Sequence, residues 1–121
     1  MTNQPDNCVF CNIIEEKEPA IFHYKEPDFV VFENNLGWLD TQLLIVPSQH
    51  LTQTQLWNNG NLLSSMGNMA NNIGKRKCPN GYRILSNFGK DGMQSQSHAH
   101  MHLLGGRNLG MYIDFIKDTN A

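Results

Sequence analysis

The spacing of apolar and polar residues predicts several short β-strands and one long helix. β-Rich runs at 20–25 and 29–33 flank the tripeptide 26–28, whose Glu-Pro-Asp composition is typical of a hairpin turn. A third apolar run, 42–47, should end at its proline, because proline cannot donate a ladder hydrogen bond. The first half of the chain is therefore expected to form three strands, preceded by a short helical turn over 13–18.

The second half of the chain carries the long helical pattern. Apolar residues recur there every three or four positions, which indicates an amphipathic helix over 62–75. A turn at 78–81 leads to a strand over 82–87, and a flexible loop at 89–92 precedes a last strand that begins at His98. The order β-β-β-α-β-β predicts an α+β fold, with a five-stranded antiparallel sheet, one long helix packed on it and a short N-terminal helix.

Composition narrows the class of protein. The chain has 121 residues and a formal net charge of −2, which favours a single domain and, without a dense basic patch, no nucleic-acid partner. No apolar run approaches the roughly 18–20 residues that a membrane span requires. The polar start, 1–7, lacks an apolar signal core and is expected to be a disordered tail, so we expect a cytoplasmic protein with no membrane partner.

Three histidines alternate with apolar residues at His98, His100 and His102. On a β-strand this spacing places the imidazoles on one face, roughly 6.5–7 Å apart, and the apolar residues on the other. A neutral histidine beside a phosphorus centre can act as a nucleophile or a general base. The preceding loop, 92–95, offers N–H groups, an amide and a hydroxyl that suit phosphate oxygens. A row of surface histidines and one zinc ion held by all three remain the alternatives.

Cys8 and Cys11 have the Cys-x-x-Cys spacing that zinc sites use. A structural zinc ion needs four ligands, commonly cysteine and histidine. His50, which follows the end of a predicted strand, and His98 could complete a Cys2His2 set that attaches the N-terminal turn to the sheet. Two free buried thiols are the alternative. The odd total of three cysteines argues against a disulfide framework.

The segment 91–107 resembles the signature of the histidine triad (HIT) superfamily, His-x-His-x-His followed by two apolar residues. With its preceding Gln-Ser and following Gly-Gly-Arg, it most resembles the histidine triad nucleotide-binding, or Hint, branch. The segments 8–14, 43–50 and 82–87 fall in the order that this family shows. The resemblance covers 8–110, which is the predicted HIT domain, and leaves 111–121 as a C-terminal extension.

The resemblance implies a homodimer in which two five-stranded sheets join, and an exposed edge strand also favours a dimer. It implies a hydrolase or transferase that binds a purine nucleotide of the AMP type and cleaves at the α-phosphate, as in a nucleoside phosphoramidate, without an organic cofactor. His100 would attack the α-phosphorus to form a nucleotidyl-histidine, and His102 would polarise the phosphate. A structural zinc ion would be held by Cys8, Cys11, His50 and His98. The implied substrate contacts are Phe10, Ile14, Phe32, Asn34, Asn87, Gln94 and Ser95.

Three residues depart from the family pattern. Gln42 occupies the position of a fourth active-site histidine, and an amide cannot relay a proton. Asn34 replaces an aspartate that binds ribose, and Met93 replaces a loop glycine, which makes that loop bulkier and stiffer. The sequence thus predicts a histidine triad hydrolase with His100, His102 and Gln42 as its catalytic group. The alternatives are a nucleotide-binding regulatory module with weak or no catalysis, which Gln42 favours, and a zinc-dependent hydrolase that uses the triad as ligands.

Overall fold

A computed structural model describes residues 7–111, which form a five-stranded antiparallel sheet and three helices. The sheet has the strand order β1-β2-β3-β5-β4, so β1 and β4 are its edges. The predicted α+β class and antiparallel sheet are confirmed. The predicted tail and C-terminal extension lie outside the described residues, apart from Asn7 and Met111. The elements are α1 (Val9–Ile14), β1 (Phe22–Lys25), β2 (Phe29–Glu33), β3 (Thr41–Pro47), α2 (Gln53–Trp57), α3 (Gly60–Lys77), β4 (Tyr82–Leu85) and β5 (Met101–Gly105).

The sheet is covered on both faces, which is why β2 and β3 are almost continuous apolar runs. Helix α3 packs on one face through Met66, Ala70 and Ile73, and this larger core includes Ala99, between two of the triad histidines. Helix α1 packs on the opposite face, where a smaller core joins its buried residues to side chains of β2 and β3. The two cores therefore lie on opposite sides of the same two strands.

Helix α1 begins earlier than the helical turn predicted over 13–18. Cys8 is its N-cap, with Sγ accepting a hydrogen bond from the N–H of Cys11 at 3.3 Å. The helix ends in a Schellman motif, in which the N–H of Glu16 donates to Ile13 and the N–H of Lys17 donates to Asn12. Glu16 adopts the left-handed φ of 62° that this motif needs. The cap at Cys8 thus moves the whole helix towards the N-terminus.

The predicted helix over 62–75 is confirmed within α3, but a separate short helix, α2, precedes it. Thr52 and Gln55 form a capping box at the start of α2, since each side chain accepts a hydrogen bond from the other residue's N–H. Asn59 then caps α3, its side chain accepting from Leu62. The predicted long helix is therefore present, whereas α2 was not predicted.

The histidine row lies only partly in a strand, contrary to prediction. β5 begins at Met101, so His98 and His100 precede it and only His102 belongs to the ladder. The predicted division of faces nevertheless holds. Ala99 is buried in the larger core, whereas the rings of His98 and His100 pack edge-on against Phe10 on the opposite side. β4 likewise ends at Leu85, two residues before the predicted end.

Candidate functional site

Two cysteines and two histidines meet where α1 lies against the end of the sheet. Cys8 caps α1 and Cys11 follows in its first turn. His50 comes shortly after β3 and His98 shortly before β5. Their ligand atoms all lie within 4.8 Å of one another. The structure thus brings together the four residues that the sequence predicted as a metal site.

The spacing of this cysteine–histidine cluster fits a tetrahedral metal ion. Nδ1 of His98 lies 3.3 Å from Sγ of Cys8 and 3.4 Å from Sγ of Cys11. Nδ1 of His50 lies 3.4 Å from the Cys11 sulfur. Zinc–sulfur and zinc–nitrogen bonds of about 2.3 and 2.1 Å would separate such ligands by about 3.5 Å. Nε2 of His98 donates to the carbonyl of Pro47 at 2.8 Å, which leaves Nδ1 free to bind a metal.

Burial shifts the pKa of two residues of the cluster, Cys11 and His98. It is the main cause that raises the pKa of the Cys11 thiol to about 12, and the hydrogen bond with Cys8 adds to the effect. Burial also lowers the pKa of His98 to about 4. Without a metal, the Cys11 thiol and the His98 imidazole are therefore both neutral at neutral pH. Because zinc binds thiolates, its binding would release protons.

His100 is held with one ring nitrogen committed and the other free. It is 1% exposed, and its Nδ1 donates to the carbonyl of His98 at 2.8 Å. That bond selects the tautomer whose Nε2 carries a lone pair. Burial lowers the pKa of His100, so the ring is neutral at neutral pH. A buried, neutral, oriented imidazole is suited to nucleophilic attack.

His102 lies beside this nucleophile candidate. Its ring centroid is 5.1 Å from that of His100. Its buried Nε2 makes no hydrogen bond with the described residues. A buried polar atom without a protein partner is costly unless another group satisfies it, so this nitrogen is able to bind a ligand atom. The adjacent rings of His100 and His102 therefore each carry a nitrogen that can bind a ligand atom.

A cavity of about 790 Å³ opens beside these two histidines, and we call it the histidine cavity. Its wall is mostly apolar, with a few polar groups near the ring nitrogens, as in many small-molecule sites. The apolar wall includes Val9, Phe10, Ile13, Phe32 and Leu44. The polar groups include Asn34, Ser95, Gln96, His100 and His102.

Four predicted substrate residues line this cavity, and three do not. Phe10, Phe32, Asn34 and Ser95 are present, but Ile13 lines the cavity where the family resemblance implied Ile14. The side-chain oxygen of Gln94 accepts from Gly89 at 2.8 Å and its amide donates to Gln96 at 2.9 Å, so it braces the loop. Asn87 lies outside the cavity lining, and its carbonyl accepts from Gln53 at 3.1 Å.

Gln42 does not join the histidines with which it was predicted to act. It lies on β3 opposite Leu104, two ladder positions away from the pair of Leu44 and His102. Its Oε1 accepts the N–H groups of Trp38 at 2.9 Å and Leu39 at 3.3 Å. The carboxamide therefore closes the turn before β3 and is absent from the cavity lining.

The sequence analysis missed Gln53, which contacts the backbone of His100 at both polar atoms. Its Nε2 donates to the carbonyl of His100 at 3.0 Å, and its Oε1 accepts the N–H of His100 at 3.2 Å. Ser86 also donates to that carbonyl, at 2.9 Å. The one signal in the sequence is that Gln53 stands three residues before Leu56, on the buried face of α2.

Acidification should destabilise the fold through His102. Burial, followed by the charge of His100, lowers its pKa from 6.5 to about 4. Between these two values the unfolded chain binds a proton that the folded chain excludes, so stability falls as pH falls through this window. From pH 7 to pH 5, the wild type should lose about 1–2 kcal/mol more unfolding free energy than His102→Gln. Urea unfolding at both pH values measures this difference, and equal losses would contradict it.

Met93 occupies a strained backbone position in the loop before the triad. Its φ is 62°, in the left-handed region, and its side chain is 79% exposed, so little packing compensates. A β-branched residue tolerates this conformation least. We expect Met93→Val to lower the unfolding free energy by about 1–2 kcal/mol. Met93→Gly should change the unfolding free energy by less than about 0.5 kcal/mol, because the relief of backbone strain is offset by the greater conformational entropy of glycine in the unfolded chain. Urea unfolding tests both, and a neutral valine variant would refute the account.

Comparison with known proteins agrees with this geometry. Residues 15–109 match the HIT domain family. An uncharacterized HIT-like protein of Buchnera aphidicola subsp. Acyrthosiphon pisum is 36% identical over 108 residues, which span 86% of this chain and 95% of that protein. Within residues 7–111, none of the helices has the length and apolar character to cross a membrane.

Solved structures show the same fold. A HIT family hydrolase from Clostridium thermocellum has a TM-score of 0.81 at 28% identity, with 91% of this chain and 99% of that one covered. A histidine triad protein from Clostridium difficile has a TM-score of 0.82 at 26% identity, with the same coverage of 91% and 99%. A Zn-bound histidine triad family protein from Mycobacterium smegmatis has a TM-score of 0.75 at 24% identity, with 94% and 84% covered. The match over most of the chain and the identity to the Buchnera relative show that this protein belongs to the HIT domain family.

Proposed function

We propose that this chain binds a purine nucleotide in the histidine cavity and cleaves a bond at its α-phosphate, with Nε2 of His100 as the nucleophile. One observation carries the proposal. The Nδ1–H of His100 is committed to the carbonyl of His98, so the lone pair on Nε2 is available for chemistry at the wall of a cavity of nucleotide size. Family membership supports a hydrolase, since the solved Clostridium thermocellum relative is described as one.

The proposed reaction has two displacements at phosphorus. Nε2 attacks the α-phosphorus of a nucleoside phosphoramidate, the P–N bond to the amine breaks, and the amine takes a proton from solvent. Water then attacks the nucleotidyl-histidine and returns a proton to solvent. The bond between phosphorus and Nε2 breaks, which releases the nucleoside monophosphate and restores the neutral ring.

The other residues at the cavity have complementary proposed roles. A phosphate oxygen would give the unpartnered Nε2 of His102 a hydrogen bond, and the Ser95 hydroxyl would bind a second oxygen. Oδ1 of Asn34 accepts from the N–H of Leu36 at 3.1 Å, so its amide group is left to donate to a ribose hydroxyl. The edge-packed rings of Phe10 and Phe32, 5.7 Å apart, would contact the base.

We infer a structural zinc ion at Cys8, Cys11, His50 and His98. The thiol and imidazole donors and their spacing support zinc, and the Mycobacterium smegmatis relative with this fold is Zn-bound. The ion would neutralise two thiolates and attach α1 to the ends of β3 and β5. No step of the proposed reaction passes through it.

The proposed enzyme is also expected to form a homodimer, because β4 is an edge strand in the described chain. Light scattering at micromolar concentration should give twice the mass of one chain. A monomer under these conditions would refute the dimer.

Mass spectrometry of the intact protein tests the covalent step. A brief incubation with an adenosine 5′-phosphoramidate, quenched above neutral pH, should add one adenylyl group to the wild type and none to His100→Ala. The second candidate function, a binding module with weak catalysis, is favoured by Gln42, since no imidazole serves as an acid there. Nucleotide binding without an adduct or released AMP would support that module and contradict the enzyme.

A further inference from the structure

The ladder between β4 and β5 stops beside the proposed nucleophile. Tyr82 lies opposite Gly105 and Leu85 lies opposite His102. The same register, continued by two residues, would place Asn87 opposite His100. The carboxamide of Gln53 occupies that position instead. It donates to the carbonyls of Asn87 and His100 and accepts the N–H of His100.

A primary amide is chemically suited to this insertion. It carries two N–H donors and a carbonyl acceptor, so it can satisfy backbone groups on both segments that a regular ladder would have paired directly. Gln53 is 3% exposed, so water does not compete for these bonds. It is the first residue of α2 and shares the buried face of that helix with Leu56. The side chain of Gln53 therefore lies between the end of β4 and His100 and bonds to the backbone on both sides.

We propose that Gln53 is the positioning residue for the nucleophile. It takes over the ladder bonds of His100 and holds this residue outside β5, where its Nδ1 reaches the carbonyl of His98. Gln53 thereby maintains the ring tautomer with a free Nε2, without touching substrate. The inference deepens the proposed function and rests on the assignment of His100 as nucleophile.

The first test is Gln53→Met, which keeps the length of the side chain and removes its three hydrogen bonds. We expect kcat and the single-turnover rate of adenylyl transfer to fall about 10- to 100-fold, because small misplacements of reacting groups have effects of this size. KM and AMP affinity should change by less than about threefold, since Gln53 does not line the cavity. Gln55→Met is the matched control: it removes a capping bond from the same helix without contacting His100 and should leave kcat unchanged.

A second variant, Gln53→Glu, separates hydrogen bonding from shape. A protonated carboxyl can still donate to a carbonyl and accept the N–H of His100, whereas a carboxylate can only accept. The ratio of the kcat of this variant to that of the wild type, measured at the same pH, should rise towards one as pH is lowered from 8 to 6, because the carboxyl group becomes protonated. A ratio that stays as low as that of Gln53→Met throughout this range would contradict the inference.

NMR of the imidazole nitrogens provides a readout that does not need turnover. In the wild type, ¹⁵N spectra should show His100 with a protonated Nδ1 and an unprotonated Nε2. In Gln53→Met, the spectra should show a mixture of tautomers, and in Gln55→Met, the wild-type pattern. A wild type without turnover would refute the proposed function alone. An unchanged tautomer and unchanged kcat in a folded Gln53→Met protein would refute the positioning role.

Discussion

Replacing His100 with alanine should lower kcat for hydrolysis of an adenosine 5′-phosphoramidate by at least about a thousandfold. The change removes the only ring nitrogen that combines a free lone pair with an oriented, neutral imidazole at the cavity of the described chain. AMP should still bind, because the apolar wall and the other polar groups remain. Steady-state kinetics and titration calorimetry with AMP measure the two effects separately.

His23→Ala is the matched control for this experiment. His23 lies on the edge strand β1, is paired with Glu33 at 2.9 Å and does not line the histidine cavity. Its removal should leave kcat within about twofold of wild type. A His100→Ala protein that retains most of its activity would overturn covalent catalysis by this residue. Equal losses in both variants would indicate general damage to the fold.

Replacing Cys11 with serine should abolish the stabilisation of the protein by zinc. With free zinc at about 1,000 times its Kd, binding to the native state contributes about 4 kcal/mol of unfolding free energy. Cys11 is 1% exposed and faces both histidines of the cluster, so a hydroxyl in its place is a poor substitute for the thiolate. Thermal unfolding with and without a zinc chelator should show a large shift for the wild type and none for Cys11→Ser.

Cys78→Ser provides the comparison, because Cys78 is also a buried cysteine but lies outside the cluster. Both variants bury a new hydroxyl, which costs about 1–3 kcal/mol. Only Cys78→Ser should keep the response to chelator. If the unfolding temperature of the wild type does not change with chelator, the proposed zinc site is wrong.

Local chemistry made much of the site predictable. The four residues of the cysteine–histidine cluster could be chosen from residue type and spacing, and the alternation around Ala99 correctly separated the histidine face from the core. The phase of α1 could not be predicted, because it depends on a cysteine acting as N-cap. That phase decides whether Ile13 or Ile14 reaches the cavity.

Contacts between distant segments account for the errors in the strand bounds. The end of β4 and the late start of β5 depend on an amide from α2, 47 residues away from His100. The residues around His100 do not indicate in their own sequence that Gln53 will bind them. Gln42 was predicted by position to act with the histidines, but its oxygen is occupied by two backbone N–H groups only three and four residues away. Local hydrogen bonding of this kind is invisible to pattern analysis.

His98 links the stability of one half of the fold to its chemistry. Its ring belongs to the cysteine–histidine cluster, and its carbonyl orients His100. The larger core around α3 contains none of the cluster residues. We expect disruption of the cluster to spare that core while it loosens His98, whose carbonyl orients the proposed nucleophile. Such a chain would lose its activity well before it lost its fold, so its abundance in a preparation would overstate the number of working molecules.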